Sequence, residues 1–327
     1  MLVDRFGRPL LHLRISVTNR CNYNCIYCHR EGEFSFGRKS SEELSPYEIY
    51  LIAKAASDLG VRKFKLTGGE PLLRNGIVEI VNLLNKLKPL DLAMTTNGYY
   101  MSKYAYELKE AGLRRINISI PSLRRETYRK ITGVDGLNQA LNGLEEAVNA
   151  GYDIIKINYL LLKGFNEDEF EEFVELARKL NVILQVIELQ PEGLGYRNFE
   201  KLHTDLSPFE KKIKERAVKV VYRKLMHNRP QYYADNAVIE FVRPVCNPDF
   251  CMHCTRLRIT ANGFIKTCLF VKPSIGLESI LKNNSYSEER KVEKIKEMII
   301  KANNMREPYY KSEKQVSIIG FKAQERV

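Results

Sequence analysis

Six short β-rich runs alternate with amphipathic helical stretches between about residue 10 and residue 190. The runs are LHLRISVT, KFKLT, LAMTT, RINISI, IIKINYLLL and VILQVIEL. The helical patterns between them are SPYEIYLIAKAASDLG, IVEIVNLLNKLK, MSKYAYELKEAG, LNQALNGLEEAVNAG and EDEFEEFVELARKLN. Such alternation predicts βα units on a parallel sheet, hence an α/β fold. Six units fit an open doubly wound sheet or an incomplete barrel, and in both arrangements ligands sit at the C-terminal ends of the strands. Local signals support the helices. Ser45 to Glu48 reads as a capping box with Pro46 at the first helical position. Asn166 to Glu169 is expected to start a helix in a similar way. Gly60, Gly112 and Gly151 fall where helices should turn out.

After about residue 195 the regularity breaks. QPEGLGYRNFEKLHTDLSPFEK is loop-rich, and the rest of the chain mixes strands with cysteines and ends in a charged helix and a tail. Residues 1–195 are therefore expected to form the barrel-like unit and residues 196–327 a smaller α+β domain laid against it. A chain of 327 residues, 44% hydrophobic and 28% charged, can bury one large core or two smaller ones. No apolar run approaches the roughly 18 to 20 residues that span a bilayer. The start MLVDRFGRPLLHLRIS lacks a basic segment followed by an apolar one, so a soluble cytoplasmic protein is expected. The net charge of +12 is compatible with nucleic acid, an anionic membrane surface or a phosphorylated substrate. Much of it sits in mixed-sign runs such as SEERKVEKIKEM, which read as solvated helix faces, so charge alone does not choose among them.

The seven cysteines fall in two groups: Cys21, Cys25 and Cys28, then Cys246, Cys251, Cys254 and Cys268. In a cytoplasmic chain such grouping argues for ligands over disulfides. The first group is C-x3-C-x2-C, directly after the first predicted strand. Zinc sites more often pair C-x2-C units or add histidines to close a tetrahedron. His29 directly follows Cys28 and is better read as a pocket wall. Three thiolates on one loop fit a [4Fe–4S] cluster with one iron open to a ligand. The second group, Cys251-x2-Cys254-x13-Cys268 with Cys246 spare, fits either a four-cysteine metal site or a second three-ligand cluster. Cys246 is favoured as a structural thiol. Arg256 and Arg258 lie on one face of a strand beside these ligands, and two guanidiniums aimed one way suit an anionic substrate.

These residues resemble the radical S-adenosylmethionine (SAM) superfamily. Cys21-x3-Cys25-x2-Cys28, with the aromatic Tyr27 before the last cysteine, is similar to its signature. TGGEPLLR, Thr67 to Arg74, resembles its glycine-rich loop. A closer resemblance is to the GTP 3′,8-cyclase family of molybdenum cofactor biosynthesis, whose C-terminal cluster motif C-x-R-x-R-x-T-x-x-G matches Cys254 to Gly263. The resemblance covers nearly the whole chain. It implies an incomplete (βα)6 TIM-type barrel with a C-terminal α+β domain carrying a second [4Fe–4S] cluster. It implies that SAM bound at the first cluster is cleaved to a 5′-deoxyadenosyl radical, which takes hydrogen from ribose C3′ of GTP. C3′ then joins C8, giving 3′,8-cyclo-7,8-dihydro-GTP. No side chain is implied as catalytic, because the cofactor delivers the radical.

By position, the resemblance implies cluster ligands Cys21, Cys25, Cys28, Cys251, Cys254 and Cys268. It implies SAM contacts at Tyr27, Gly69 and Ser119, and GTP contacts at Arg14, Lys65, Thr95, Lys156, Arg256 and Arg258. It also implies a reductant such as ferredoxin or flavodoxin, a downstream cyclic pyranopterin monophosphate synthase, and a homodimer. The chain departs from the resemblance at Gln185, where bacterial members usually have arginine, at Gln190, where they often have methionine, and at Pro121, where aspartate is common. In place of a Gly-Gly terminus it ends SIIGFKAQERV, with Gly320 followed by Phe321. Two rivals are a peptide-modifying two-cluster radical SAM enzyme, which usually carries more cysteines, and a non-catalytic iron–sulfur or RNA-binding protein, which has no need of the GGEP loop.

Overall fold

The six predicted strands pair in chain order, each parallel to the next: β1 (His12–Ser16), β2 (Lys63–Thr67), β3 (Asp91–Thr96), β4 (Arg115–Ser119), β5 (Ile154–Leu160) and β6 (Ile183–Ile187). The computed structural model describes residues 1–29, 31 and 43–309. Helices α1 (Pro46–Asp58), α2 (Ile77–Asn85), α3 (Met101–Glu110), α4 (Arg125–Thr132), α5 (Leu137–Asn149) and α6 (Phe170–Leu180) supply the crossovers. All were expected except α4, whose charged sequence RETYRKIT buries only Tyr128, Ile131 and Thr132.

The later strands do not stack as a separate layer. β7 (Ala217–Arg223), β8 (Arg229–Ala234) and β9 (Ala237–Val242) form an antiparallel meander, and β9 joins β6 in parallel. β10 (Arg256–Ile259) joins β1 in parallel and leads antiparallel into β11 (Phe264–Lys266) and β12 (Ile275–Gly276). The result is one twelve-stranded sheet with the barrel strands at its centre. The register sets Arg256 beside His12, Arg258 beside Arg14, and Glu240 beside Gln185.

Strand residues alternate in character. Leu13, Ile15, Phe64, Leu66, Ile116, Ile118, Ile157, Leu184 and Val186 are buried in one core with helix residues such as Ile49, Ile80, Leu108, Leu144 and Phe173. Each such fully buried side chain contributes roughly 1.5–3 kcal/mol. The intervening positions are polar: His12 and Arg14, Lys63 and Lys65, Arg115 and Asn117, Lys156 and Asn158. Parallel strands covered on both faces normally read as continuous apolar runs. The alternation arises because the second face lines a polar cavity.

Ser45 caps α1 as expected, with its side chain on the Glu48 N–H and Glu48 returning to the Ser45 N–H. Gly60, Gly112 and Gly151 take positive φ just beyond α1, α3 and α5. A 3-10 turn, Glu167–Glu169, starts after Asn166 as expected and runs into α6, but the Asn166 side chain makes no capping bond. It accepts from the Leu162 N–H at 2.7 Å and donates to the Pro121 and Leu160 carbonyls at 2.6 and 2.9 Å. Buried between two strand ends, it satisfies backbone groups that would otherwise be stranded there. The helix Glu288–Asn304 starts at Ser287 and lays Val292, Ile295 and Ile299 against the core, with its charges outward. No helix among the described residues is long and apolar enough to cross a membrane.

Candidate functional site

One face of the sheet curls around a cavity of about 640 Å³, lined from every strand β1 to β6 and also from β9 and β10. Cys21, Cys25, Cys28, Cys251, Cys254 and Cys268 all line it. So do Tyr27, Gly69, Ser119, Arg14, Lys65, Thr95, Lys156, Arg256 and Arg258. Every site residue singled out in the sequence therefore reaches one space.

The first cysteine loop leaves β1 and is pinned by backbone bonds. Asn24 and Ile26 donate to the Thr132 and Ile131 carbonyls at the end of α4, both at 3.0 Å. Leu194 donates to the Cys28 carbonyl at 3.0 Å. Below the loop run Gly68 and Gly69. A Cβ on Gly69 would lie 2.1 Å from the Arg20 carbonyl oxygen, and the Gly69 N–H is bonded to the Thr18 carbonyl at 2.8 Å. The glycine is thus required by the cysteine loop itself. Gly69→Ala should displace that loop and lose roughly half of the bound iron, read by iron analysis after anaerobic reconstitution.

Burial pushes the Cys25 thiol up, and the neighbouring Cys28 and Cys21 push it further; the Tyr27 hydroxyl hydrogen-bonds it. Tyr27 therefore rests on Cys25. Thiols that oppose one another's ionisation form a site whose charge a metal centre completes. Among the described residues no three Cys, His, Asp or Glu side chains close on a single ion. His29 forms part of the wall, its Nδ1 accepting the Glu31 N–H at 3.0 Å.

In the second group, Cys251 lies on the short helix Pro248–Met252, capped by the Asn247 side chain. Cys254 precedes β10 and Cys268 follows β11. Burial, then the Cys254 charge, pushes the Cys268 thiol up, while Arg258 opposes. Cys246 does not line the cavity. It packs with the apolar set Ile131, Leu162, Leu189 and Val245, consistent with a structural thiol.

Two of the buried carboxylates that the sequence does not announce pair with the predicted GTP-side cations. Glu31 sits between Arg14, at 2.6 Å, and Arg258, at 2.5 Å, and accepts from the Thr67 hydroxyl at 2.8 Å. Burial would raise its pKa, but Arg14 and Arg258 outweigh that and hold it below the usual carboxylate range. Glu240 takes the Lys156 ammonium at 2.6 Å, Arg223 at 2.7 Å and Gln231 at 2.9 Å, with Arg229 at 3.7 Å. Lys156 is thus neutralised by an internal partner. Gln185 also points its amide at Glu240, at 3.4 Å.

Lys65 and Arg256 have no carboxylate partner among the described residues. Burial, then the charges of Arg14, Arg115 and Arg256, lowers Lys65 well below the usual lysine range. Burial brings Arg256 down to about 9. Nine buried side-chain nitrogen or oxygen atoms among the described residues lack a hydrogen-bond partner, and seven belong to residues lining this cavity: His12, Arg14, Thr95, Arg115, Asn117, Gln190 and His227. Unpaired buried polar atoms cost free energy, so their concentration marks a space shaped for a polar ligand. Ser119 accepts from the Asn158 amide at 3.3 Å. The tail positions Gly320 and Phe321 lie outside the described residues.

Comparison with known proteins agrees with this geometry. Residues 15–177 match the Radical SAM superfamily, and residues 182–312 match Molybdenum Cofactor Synthesis C. A probable GTP 3′,8-cyclase of Methanothermobacter thermautotrophicus is 42% identical over 94% of this chain and 98% of its own length. One of Thermococcus kodakarensis is 44% identical over 95% of this chain and 100% of its own. Among solved structures, SuiB of Streptococcus suis bound to S-adenosylmethionine superposes with a TM-score of 0.59 at 18% identity, over 88% of this chain and 64% of SuiB, which shows a shared fold. The chain belongs to the radical SAM superfamily, and within it to the family of the GTP 3′,8-cyclases.

Proposed function

We propose that this protein converts GTP to 3′,8-cyclo-7,8-dihydro-GTP, the first committed nucleotide rearrangement of molybdenum cofactor biosynthesis. The carrying observation is the meeting of two cysteine triplets with Arg14, Lys65, Arg256 and Arg258 around one cavity rich in unpartnered polar atoms. Membership of the superfamily implies one [4Fe–4S] cluster and SAM. In this reading Cys21, Cys25 and Cys28 hold that cluster, and Cys251, Cys254 and Cys268 hold a second one that receives the guanine. When bound, the first cluster and SAM supply the one-electron chemistry that starts hydrogen abstraction from the ribose.

The chain's own residues bind and orient. The Gly69 N–H is spent on Thr18, so an ammonium group of SAM would meet carbonyls there, with Ser119 toward its ribose or carboxylate. Arg14, Lys65, Arg256 and Arg258 present cations from three adjacent strands, β10, β1 and β2, which suits a triphosphate. Lys156 reaches phosphate while shared with Glu240, and Thr95 offers its unpaired hydroxyl. In this reading residues 1–195 are the radical SAM barrel, which also turns Arg14, Lys65, Thr95 and Lys156 toward GTP, and residues 196–327 are the domain that carries the second cluster, with Arg256 and Arg258. A small ferredoxin or flavodoxin as donor, a downstream cyclic pyranopterin monophosphate synthase, a cytoplasmic location and a homodimer complete the reading.

Anaerobically reconstituted protein should hold about eight irons, from two four-iron clusters. With SAM, GTP and a reductant it should release 5′-deoxyadenosine only when GTP is present, together with a cyclised nucleotide. Deoxyadenosine formed regardless of GTP, with no cyclised nucleotide, would sink the assignment and favour another radical SAM substrate, such as a peptide.

A further inference from the structure

The second cysteine loop is held by three residues outside every motif, and two of them, Arg8 and Arg306, also line the cavity. Arg306 donates from Nη2 to the Cys254 carbonyl, and Arg8 donates from Nη1 to the Cys251 carbonyl at 3.0 Å. One carboxylate holds both guanidiniums: Asp4 Oδ2 lies 2.8 Å from Arg8 Nε and 3.1 Å from Arg306 Nη1. Asp4, Arg8 and Arg306 are only 6%, 5% and 2% exposed. They come from opposite ends of the chain. Asp4 and Arg8 face each other across a tight N-terminal turn, bridged by Val3 and Pro9, and Arg306 follows the helix Glu288–Asn304. Arg8 also donates to the Glu307 and Pro308 carbonyls at 2.7 and 3.2 Å.

Two cations and one anion leave the trio with one net positive charge, buried against the loop. A buried charge is costly unless something opposite compensates it. An iron–sulfur cluster on three thiolates is anionic in total and becomes more so when reduced. Carbonyls held by two arginines also fix the turn that carries two of its three ligands, the task outer residues perform at metal sites. We propose that Asp4, Arg8 and Arg306 form a clamp that positions the second cysteine loop and sets the reduction potential of the cluster held there. The three act through the loop and are positioning residues. The inference rests on the two-cluster reading above.

The test uses full-length, anaerobically reconstituted protein and redox titration of each cluster, followed by electron paramagnetic resonance. Arg306→Met removes a cation and should move the second cluster's potential to more negative values. Asp4→Asn removes the anion and should move it to more positive values. Arg306→Lys should stay near the wild-type value, and the first cluster's potential should not move in any variant. If Arg306→Met instead loses half the iron while SAM cleavage persists, the positioning role is upheld, and Asp4→Asn still carries the sign. Equal potentials in all variants, shifts of the same sign in Arg306→Met and Asp4→Asn, or joint loss of both clusters overturn the clamp. A wild-type protein holding only about four irons would instead defeat the two-cluster reading.

Discussion

Glu240→Gln should cost about 3–5 kcal/mol of stability, because it leaves buried cations without their anion. Lys156, Arg223 and Arg229 all lean on this one carboxylate, which is fully buried on β9. Glutamine keeps the shape and can still face Gln231, so the loss reports charge and not packing. The pH dependence has a definite sign. Burial opposes ionisation, but Lys156, Arg229 and Arg223 outweigh it and bring Glu240 down to about 2, below its ordinary 4.5. A depressed acid contributes stability above its unfolded pKa and loses it as pH falls through the folded one. The wild type should therefore lose stability between about pH 4.5 and pH 2, and the variant should lack that part of the slope. Denaturant midpoints of the two reconstituted proteins, measured across this range, check both statements. Equal midpoints at neutral pH would show that the lysine and arginines find water or each other at little cost.

The barrel is legible because its signals are local. Each βα unit announces itself by a change of period and by a cap or a glycine, as at Ser45, Gly60 and Gly112. The cysteine groups are legible because ligand spacing survives in the linear chain. What escapes depends on pairing between distant segments. Nothing near residue 256 says that it will lie beside His12, since parallel neighbours share no turn. Glu31, Glu240 and Asp4 read as ordinary surface acids until the fold brings Arg258, Lys156 and Arg306 to them from distant parts of the chain. Helix α4 escapes for a different reason: it is short, highly charged and carries too few apolar residues to show a period. Asn166 misleads because an Asn before a helix looks the same whether it caps the helix or staples two strands. One further signal is present in the chain. In LHLRIS, KFKLT and RINIS the polar residues alternate strictly with apolar ones, although helices flank the strands in sequence. A parallel strand that alternates must turn its second face to something polar, and that pattern announces the lined cavity.

Glu31→Gln should weaken GTP binding about tenfold or more, roughly 1.4 kcal/mol or above, while leaving SAM binding unchanged. Glu31 lies three residues past Cys28, yet its carboxylate joins Arg14 on β1 to Arg258 on β10. Its backbone is held as well: the carbonyl accepts from the buried Lys266 ammonium at 2.9 Å, and the N–H is bonded to His29. With both backbone groups fixed, the carboxylate has little freedom to withdraw when a nucleotide enters. It therefore acts as a brace, holding two guanidiniums that would otherwise repel each other and turning their remaining N–H groups toward the cavity. Neutral glutamine lets the arginines separate, and a preorganised anion seat becomes one that must be rebuilt on binding. Glu31→Asp, which keeps the charge on a shorter arm, should fall between the two. Equilibrium dialysis of GTP against each reconstituted protein, without reductant, separates this view from its opposite. If Glu31→Gln binds GTP more tightly than the wild type, the carboxylate is a counter-ion that the triphosphate replaces, and the brace is wrong. Unchanged SAM affinity in the same samples shows that the first cysteine loop, three residues away, has kept its form.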